Sequence, residues 1–202
     1  MMVQENSLAK RKERKFYMKR KEYQGLKKMI QRIFEDQNVP NCNLYIRMKG
    51  GSFSISDYLS KSGVGVVQIA FSEDMKTFKA LKKDCGFEGD FSRLMKFFTL
   101  HEIGHQKDKH LASLKEKRGI PRRRMYQETD TEEWKALSAK VIELTLQIER
   151  NAWDYVSDKV LPEEMEDLQR CRDYCLNLYQ ESWEIYSARY FSTPELRKKL
   201  EG

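Results

Sequence analysis

Over much of this chain apolar side chains recur every three or four residues, the spacing that keeps them on one face of a helix. Phe16, Tyr23, Leu26, Ile30 and Ile33 predict a first helix from about residue 10 to 36, stopped by Val39-Pro40-Asn41. The period then changes. Leu44, Ile46 and Met48 alternate with Tyr45 and Arg47, a strand signal, and Gly50-Gly51 supplies a turn. Segments 53 to 58 and 64 to 71 read as further strands, the second rich in β-branched residues between Gly63 and Ser72. Three short strands in succession predict a small antiparallel sheet.

Helical spacing returns from residue 72 to 84. Asp90 is placed as the N-cap of another helix, whose wide apolar face of Phe91, Leu94, Met95, Phe97, Phe98 and Leu100 runs into residues 101 to 105. From 106 to 125 the chain is polar and basic, including Arg122, Arg123 and Arg124 after Pro121, and reads as an exposed loop or a loosely packed helix end. Thr129 with Glu132 forms a capping-box pattern. The helix it opens carries Trp134, Leu137, Val141, Leu144, Ile148, Ala152 and Tyr155 to about residue 160, where Leu161-Pro162 closes it. A last amphipathic helix is expected from about 163 to 190, then a charged tail from Thr193-Pro194. The sum is an α+β chain, mostly helical, with the sheet beside the helix of residues 91 to 105.

Composition adjusts this picture in three ways. The length of 202 residues is enough to bury a core without disulfides or a structural metal, and Cys42, Cys85, Cys171 and Cys175 form no C-x-x-C pair. They are expected as thiols, with Cys171 and Cys175 on one packed helix face. No run approaches the roughly 18 apolar residues of a membrane helix, so a soluble, cytoplasmic protein is expected. The net charge of +7 is concentrated at one end. Lys10, Arg11, Lys12, Arg14, Lys15, Lys19, Arg20 and Lys21 make a basic arm, preceded by a first segment, 1 to 9, expected to be disordered. Such an arm suits an acidic partner or nucleic acid, or is simply a solvated helix face.

The chemistry concentrates at His101-Glu102-Ile103-Gly104-His105, an H-E-x-x-H motif holding two of the three histidines; the third is His110. Residues four apart on an α-helix are offset by about 40° and rise about 6 Å, so both imidazoles share a face and can hold one ion. Glu102 sits beside the pair, placed to act as general base on a water. Gly104 costs about 1 kcal/mol relative to alanine inside a helix, which implies close approach of another element.

Catalytic zinc usually takes three protein ligands, so a further donor is needed. Glu149 is one candidate, sharing a helix face with Thr145, Ala152 and Val156, where the small Ala152 would let that helix reach Gly104. Glu128, Asp130, Glu132 and Glu133 are others, at a distance from His105 that many gluzincins use, and Glu133 with Ala136 repeats E-x-x-A. Candidates for stabilising a transition-state oxyanion are His110 and Tyr126, with Tyr155 less favoured because it lies in an apolar stripe.

The stretch from Glu149 to Pro162, ERNAWDYVSDKVLP, resembles the second motif of the ImmA/IrrE family of zinc metallopeptidases, with Glu149, Ala152, Tyr155, Val156, Leu161 and Pro162 at the matching positions. The resemblance covers roughly residues 20 to 165 and implies a zincin-like domain over 10 to 165 and a helical extension over 166 to 202. It implies one zinc ion held by His101, His105 and Glu149, with Glu102 as catalytic base and proton shuttle. Between His105 and Glu149 lie 43 residues, more than a compact member would have, so 106 to 148 is expected to contain an insertion. Because such proteins often act in bacteria or mobile genetic elements on repressors, the resemblance also implies a DNA-binding repressor or other regulator as protein substrate. Two rival readings are a non-hydrolytic zinc-containing regulator and a nucleic-acid-binding protein acting through the basic arm.

Overall fold

In a computed structural model of the chain, the described residues are 19–48, 54–59, 65–71 and 76–192. The expected disorder of 1 to 9, the Gly50-Gly51 turn and most of the basic arm, Lys10 to Lys15, lie outside them. Helix α1 (Arg20–Asp36) starts where Glu22 accepts a hydrogen bond from the Lys19 amide at 2.7 Å. Its exit is tight. Asn38 and Asn41 adopt positive φ values of 44° and 51° on either side of Pro40, a conformation asparagine tolerates better than most residues.

Three strands follow, β1 (Cys42–Met48), β2 (Ser54–Leu59) and β3 (Gly65–Phe71). The expected antiparallel sheet is only half correct. The order is β1-β3-β2, with β1 parallel to β3, Cys42 opposite Gly65, and β2 antiparallel to β3, Ser54 opposite Ala70. Because β3 lies between its two predecessors, β1 and β2 are not a hairpin, and chain order alone cannot reveal that insertion. Val67 and Ile69 of the central strand are fully buried.

Helix α2 (Lys76–Cys85) buries Leu81, and a loop leads to α3 (Phe91–Lys107), the centre of the fold. Asp90 caps α3 by accepting from the Arg93 amide at 2.8 Å, as the sequence predicts. Every residue from Phe97 to His105 is buried, because α1, the sheet and α5 (Thr131–Ser157) cover α3 from different sides. An amphipathic stripe would need one cover, whereas this helix is enclosed.

The polar stretch from 106 onward is not a loop. It forms α4 (Leu111–Gln127), packed along α5, with Gly119 and Pro121 inside it. Those two helix breakers and the scarcity of apolar residues mask its periodicity; only Met125 is buried, against Trp134 and Leu137. Helix α5 begins one residue later than the capping-box pattern suggests. Asp130, not Thr129, is the N-cap and accepts from the amides of Glu132 and Glu133. A short 3-10 turn (Pro162–Glu164) leads into α6 (Met165–Ser192), which packs on α5 and α2. Asp167 ties the start of α6 to the loop before α3, accepting from the Glu88 amide at 2.7 Å and from Arg93. All four cysteines are free thiols, with Cys171 buried beside Cys175, matching the packed face expected of them. Among the described residues no helix is long and apolar enough to cross a membrane.

Candidate metal centre

His101 and His105 lie one turn apart on α3 with their rings 4.7 Å between centroids, both 5% exposed. Across from them α5 brings Glu149 from 44 positions away in sequence, so that a single oxygen, Oε2, lies 3.1 Å from His101 Nε2 and 3.7 Å from His105 Nε2. Three donors about 2.1 Å from a tetrahedral ion would stand roughly 3.4 Å apart, and the two distances bracket that value. Nitrogen and carboxylate donors in a buried setting suit zinc. Glu102, also 5% exposed, joins the same cluster, its carboxylate and both imidazoles offering donor atoms within 4.8 Å of one another. The Glu149 oxygen lies within 3.7 Å of both rings and arrives from a separate helix, and Glu102 adds a second carboxylate to the group.

Gly104 explains how two helices come this near. A Cβ at that position would sit 2.7 Å from the Ala152 carbonyl oxygen and 3.1 Å from the Ala152 Cα. Glycine on α3 and alanine on α5 thus let the backbones touch one residue from His105 and three from Glu149. The contact is locked further along, where Asn151 donates to Asp108 Oδ2 at 2.9 Å, joining α5 to the C-cap of α3. Trp153 lies tilted by 39° against His101 with centroids 4.4 Å apart and meets Phe98 edge-on, so the first imidazole rests against an aromatic wall.

Charge is balanced across this contact. Burial by itself pushes the Glu149 carboxyl up, yet the hydrogen bonds and charges of His101 and His105 outweigh it and hold its pKa down at about 2. In the metal-free chain this carboxylate therefore adds stability above its ordinary value of 4.5, and that contribution is lost as pH falls towards about 2. A carbon-13 titration of the Glu149 carboxyl in metal-free protein should give a midpoint well below 4.5, and a midpoint at or above that value would contradict the geometry.

The other sequence candidates separate from this centre. Helix α3 ends at Lys107, and His110 is the exposed N-cap of α4, with its amide donating to Asp108 Oδ1 at 2.7 Å. The Tyr155 hydroxyl donates to Gln37 Oε1 at 2.7 Å and so serves the packing of α5 on the end of α1. Glu128 accepts from the Thr129 and Asp130 amides, Asp130 caps α5, and Glu133 pairs with Arg124 on the surface. Glu132 pairs with Lys135 there. Tyr126 is half-buried and lines a groove beside the centre. Of the basic arm, Lys19, Arg20 and Lys21 are described, and all three are exposed at the start of α1.

Sequence reasoning missed Tyr179. It leaves 43% of its surface in solvent, yet its hydroxyl end is largely buried near the Glu149 and Glu102 carboxylates. Burial, then the charges of Glu149 and Glu102, push that phenol well up, which keeps it a donor. The available signal was an aromatic series on α6 at helical spacing, Tyr179, Trp183 and Tyr186. No family model, curated protein or solved structure matches the chain.

Proposed function

We propose that this chain is a zinc-dependent endopeptidase of the gluzincin kind, with a zincin-like domain over 10 to 165 of the ImmA/IrrE type. The observation that carries the reading is the convergence of Glu149 Oε2 on both motif histidines, 3.1 and 3.7 Å away, from a separate helix. His101, His105 and Glu149 would hold the ion. When bound, zinc supplies Lewis acidity that activates water near neutral pH and polarises a carbonyl.

The chain's own residues account for the remaining chemistry. Glu102 takes a proton from the attacking water and returns it to the leaving nitrogen, and its burial beside two imidazoles keeps bulk water from competing for that proton. The protonated Tyr179 hydroxyl lies near Glu149 and Glu102 and adds a proton-bearing group to the edge of the site. Trp153 prevents the His101 ring from turning. Since Tyr179 comes from α6, the segment after residue 165 borders the site, and the insertion inferred between 106 and 148 would correspond to α4 and the first turns of α5.

The substrate we infer is a regulatory protein such as a DNA-binding repressor, which the basic arm would help approach. Zinc-loaded protein incubated with an unfolded protein should generate new amino termini, lost on chelation and restored by zinc. Cleavage unaffected by chelation, or none with any unfolded protein or peptide mixture, would refute the peptidase reading.

A further inference from the structure

Helix α5 carries more than Glu149 on the face turned to the metal centre. Thr145 lies one turn earlier and Val141 two turns earlier, and both line a cavity of about 390 Å³ between α4, α5 and α6. Tyr179, whose phenol feels the charges of Glu149 and Glu102, is part of the same lining, so the cavity lies next to the centre. Its lining includes the aromatic rings of Tyr126, Trp183 and Tyr186; the Trp183 indole N–H is occupied by Ser138 Oγ at 2.8 Å.

Two guanidinium groups project into this cavity from α4. Arg118 is half-buried and donates to Thr145 Oγ1 at 3.4 Å; Arg122, one turn on, lies 5.9 Å from the Tyr126 ring centroid and donates to its hydroxyl at 3.4 Å. Both bonds are long. Neither arginine has a carboxylate within ion-pair distance among the described residues, and no Asp or Glu lines the cavity. Glu149 attracts Arg118 from a greater distance, and a bound zinc would neutralise that attraction. Burial and the neighbouring Arg122 both act against the Arg118 charge. A half-buried guanidinium, with a second, exposed one a turn away and no carboxylate in ion-pair reach of either, is an arrangement that an anion would complete.

We propose that this cavity is a specificity subsite that takes an acidic side chain of the peptide substrate, with Arg118 and Arg122 binding its carboxylate. The proposal rests on the peptidase reading and adds its substrate preference. Thr145 and Val141 lie about 6 and 12 Å along α5 from Glu149. An extended peptide rises about 3.3 Å per residue, so the acidic residue stands roughly two to four positions from the cleaved bond. The aromatic walls suit the aliphatic part of a glutamate stem, and two arginines suit a carboxylate's paired oxygens. A nucleic acid strand would need a longer basic track than two guanidiniums.

Binding separates this proposal from the peptidase reading. Zinc-loaded full-length Glu102→Gln protein would be titrated with an acetylated, C-terminally amidated peptide rich in Glu, its Gln counterpart, the Gln peptide with a free C-terminus, and oligo-dT. The Glu peptide should bind roughly 10-fold or more tightly than its Gln counterpart, the magnitude of a charge-assisted bond. Adding Arg118→Gln and Arg122→Gln to the same protein should erase the difference while leaving zinc content unchanged. Equal binding of the Glu and Gln peptides, or a preference that survives both arginine replacements, would overturn the proposal. So would a gain confined to the free C-terminus, or displacement of the Glu peptide by oligo-dT, each of which assigns the arginines to another anion. Failure of wild-type protein to cleave any peptide, with this preference intact, would count against the peptidase reading alone.

Discussion

Glu102→Gln is expected to leave zinc bound and to lower peptide turnover by roughly 10²- to 10⁴-fold, the range associated with a positioned general base. Glutamine keeps the shape and the buried polar end but cannot take a proton. The substitution spares the three residues whose donors converge, since Glu149 Oε2 approaches both imidazoles independently of Glu102. Turnover measured beside bound zinc makes the two roles separable. If the variant loses zinc together with activity, Glu102 is a ligand and the division of roles proposed here is wrong. Unchanged turnover would exclude it as base.

Gly104→Ala should destabilise the protein by about 1–2 kcal/mol and weaken zinc binding at least about 10-fold. Alanine is favoured over glycine by about 1 kcal/mol in a helix, but overpacking a tight contact costs about 1–3 kcal/mol. Here overpacking wins, because the obstacle 2.7 Å from the new Cβ is the Ala152 carbonyl oxygen, which moves only if α5 moves. Any such shift carries Glu149 away from the histidines. Gly25 on α1 is a matched control, since it is exposed and a Cβ there meets nothing within 4 Å. Gly25→Ala should leave zinc affinity unchanged and raise stability by up to about 1 kcal/mol. Urea denaturation and competitive chelator titration of both variants read the two effects. A Gly104→Ala protein as stable and as tightly zinc-binding as wild type would show that the helices are not held at contact distance.

What local chemistry determines was legible before any coordinates. The Asp90 cap, the enclosed face of α3 and the approach of Ala152 to Gly104 each follow from residues whose meaning is local: a short acidic cap, a dense apolar run, and a glycine that has to be compensated. The pairing of β1 with β3 was not legible, because strand order depends on where the third strand docks and alternation along each strand is the same in either arrangement. Helix α4 was hidden by Pro121, Gly119 and a basic surface. Its stability comes from packing along α5 rather than from its own pattern. Tyr179 and Arg118 were illegible for a related reason. Each meets a neighbour on another helix, the Tyr179 phenol lying near Glu149 and Arg118 bonding to Thr145, and no spacing along the chain encodes such a meeting.

Zinc content per chain, measured by elemental analysis on wild-type protein beside His105→Ala and Glu149→Ala, tests the central claim most directly. One zinc in wild type, lost in both variants while far-ultraviolet circular dichroism stays native, is the predicted result. Zinc lost with His105→Ala but retained at full affinity in Glu149→Ala would contradict it, and would mean that α5 packs against the motif histidines without serving the metal.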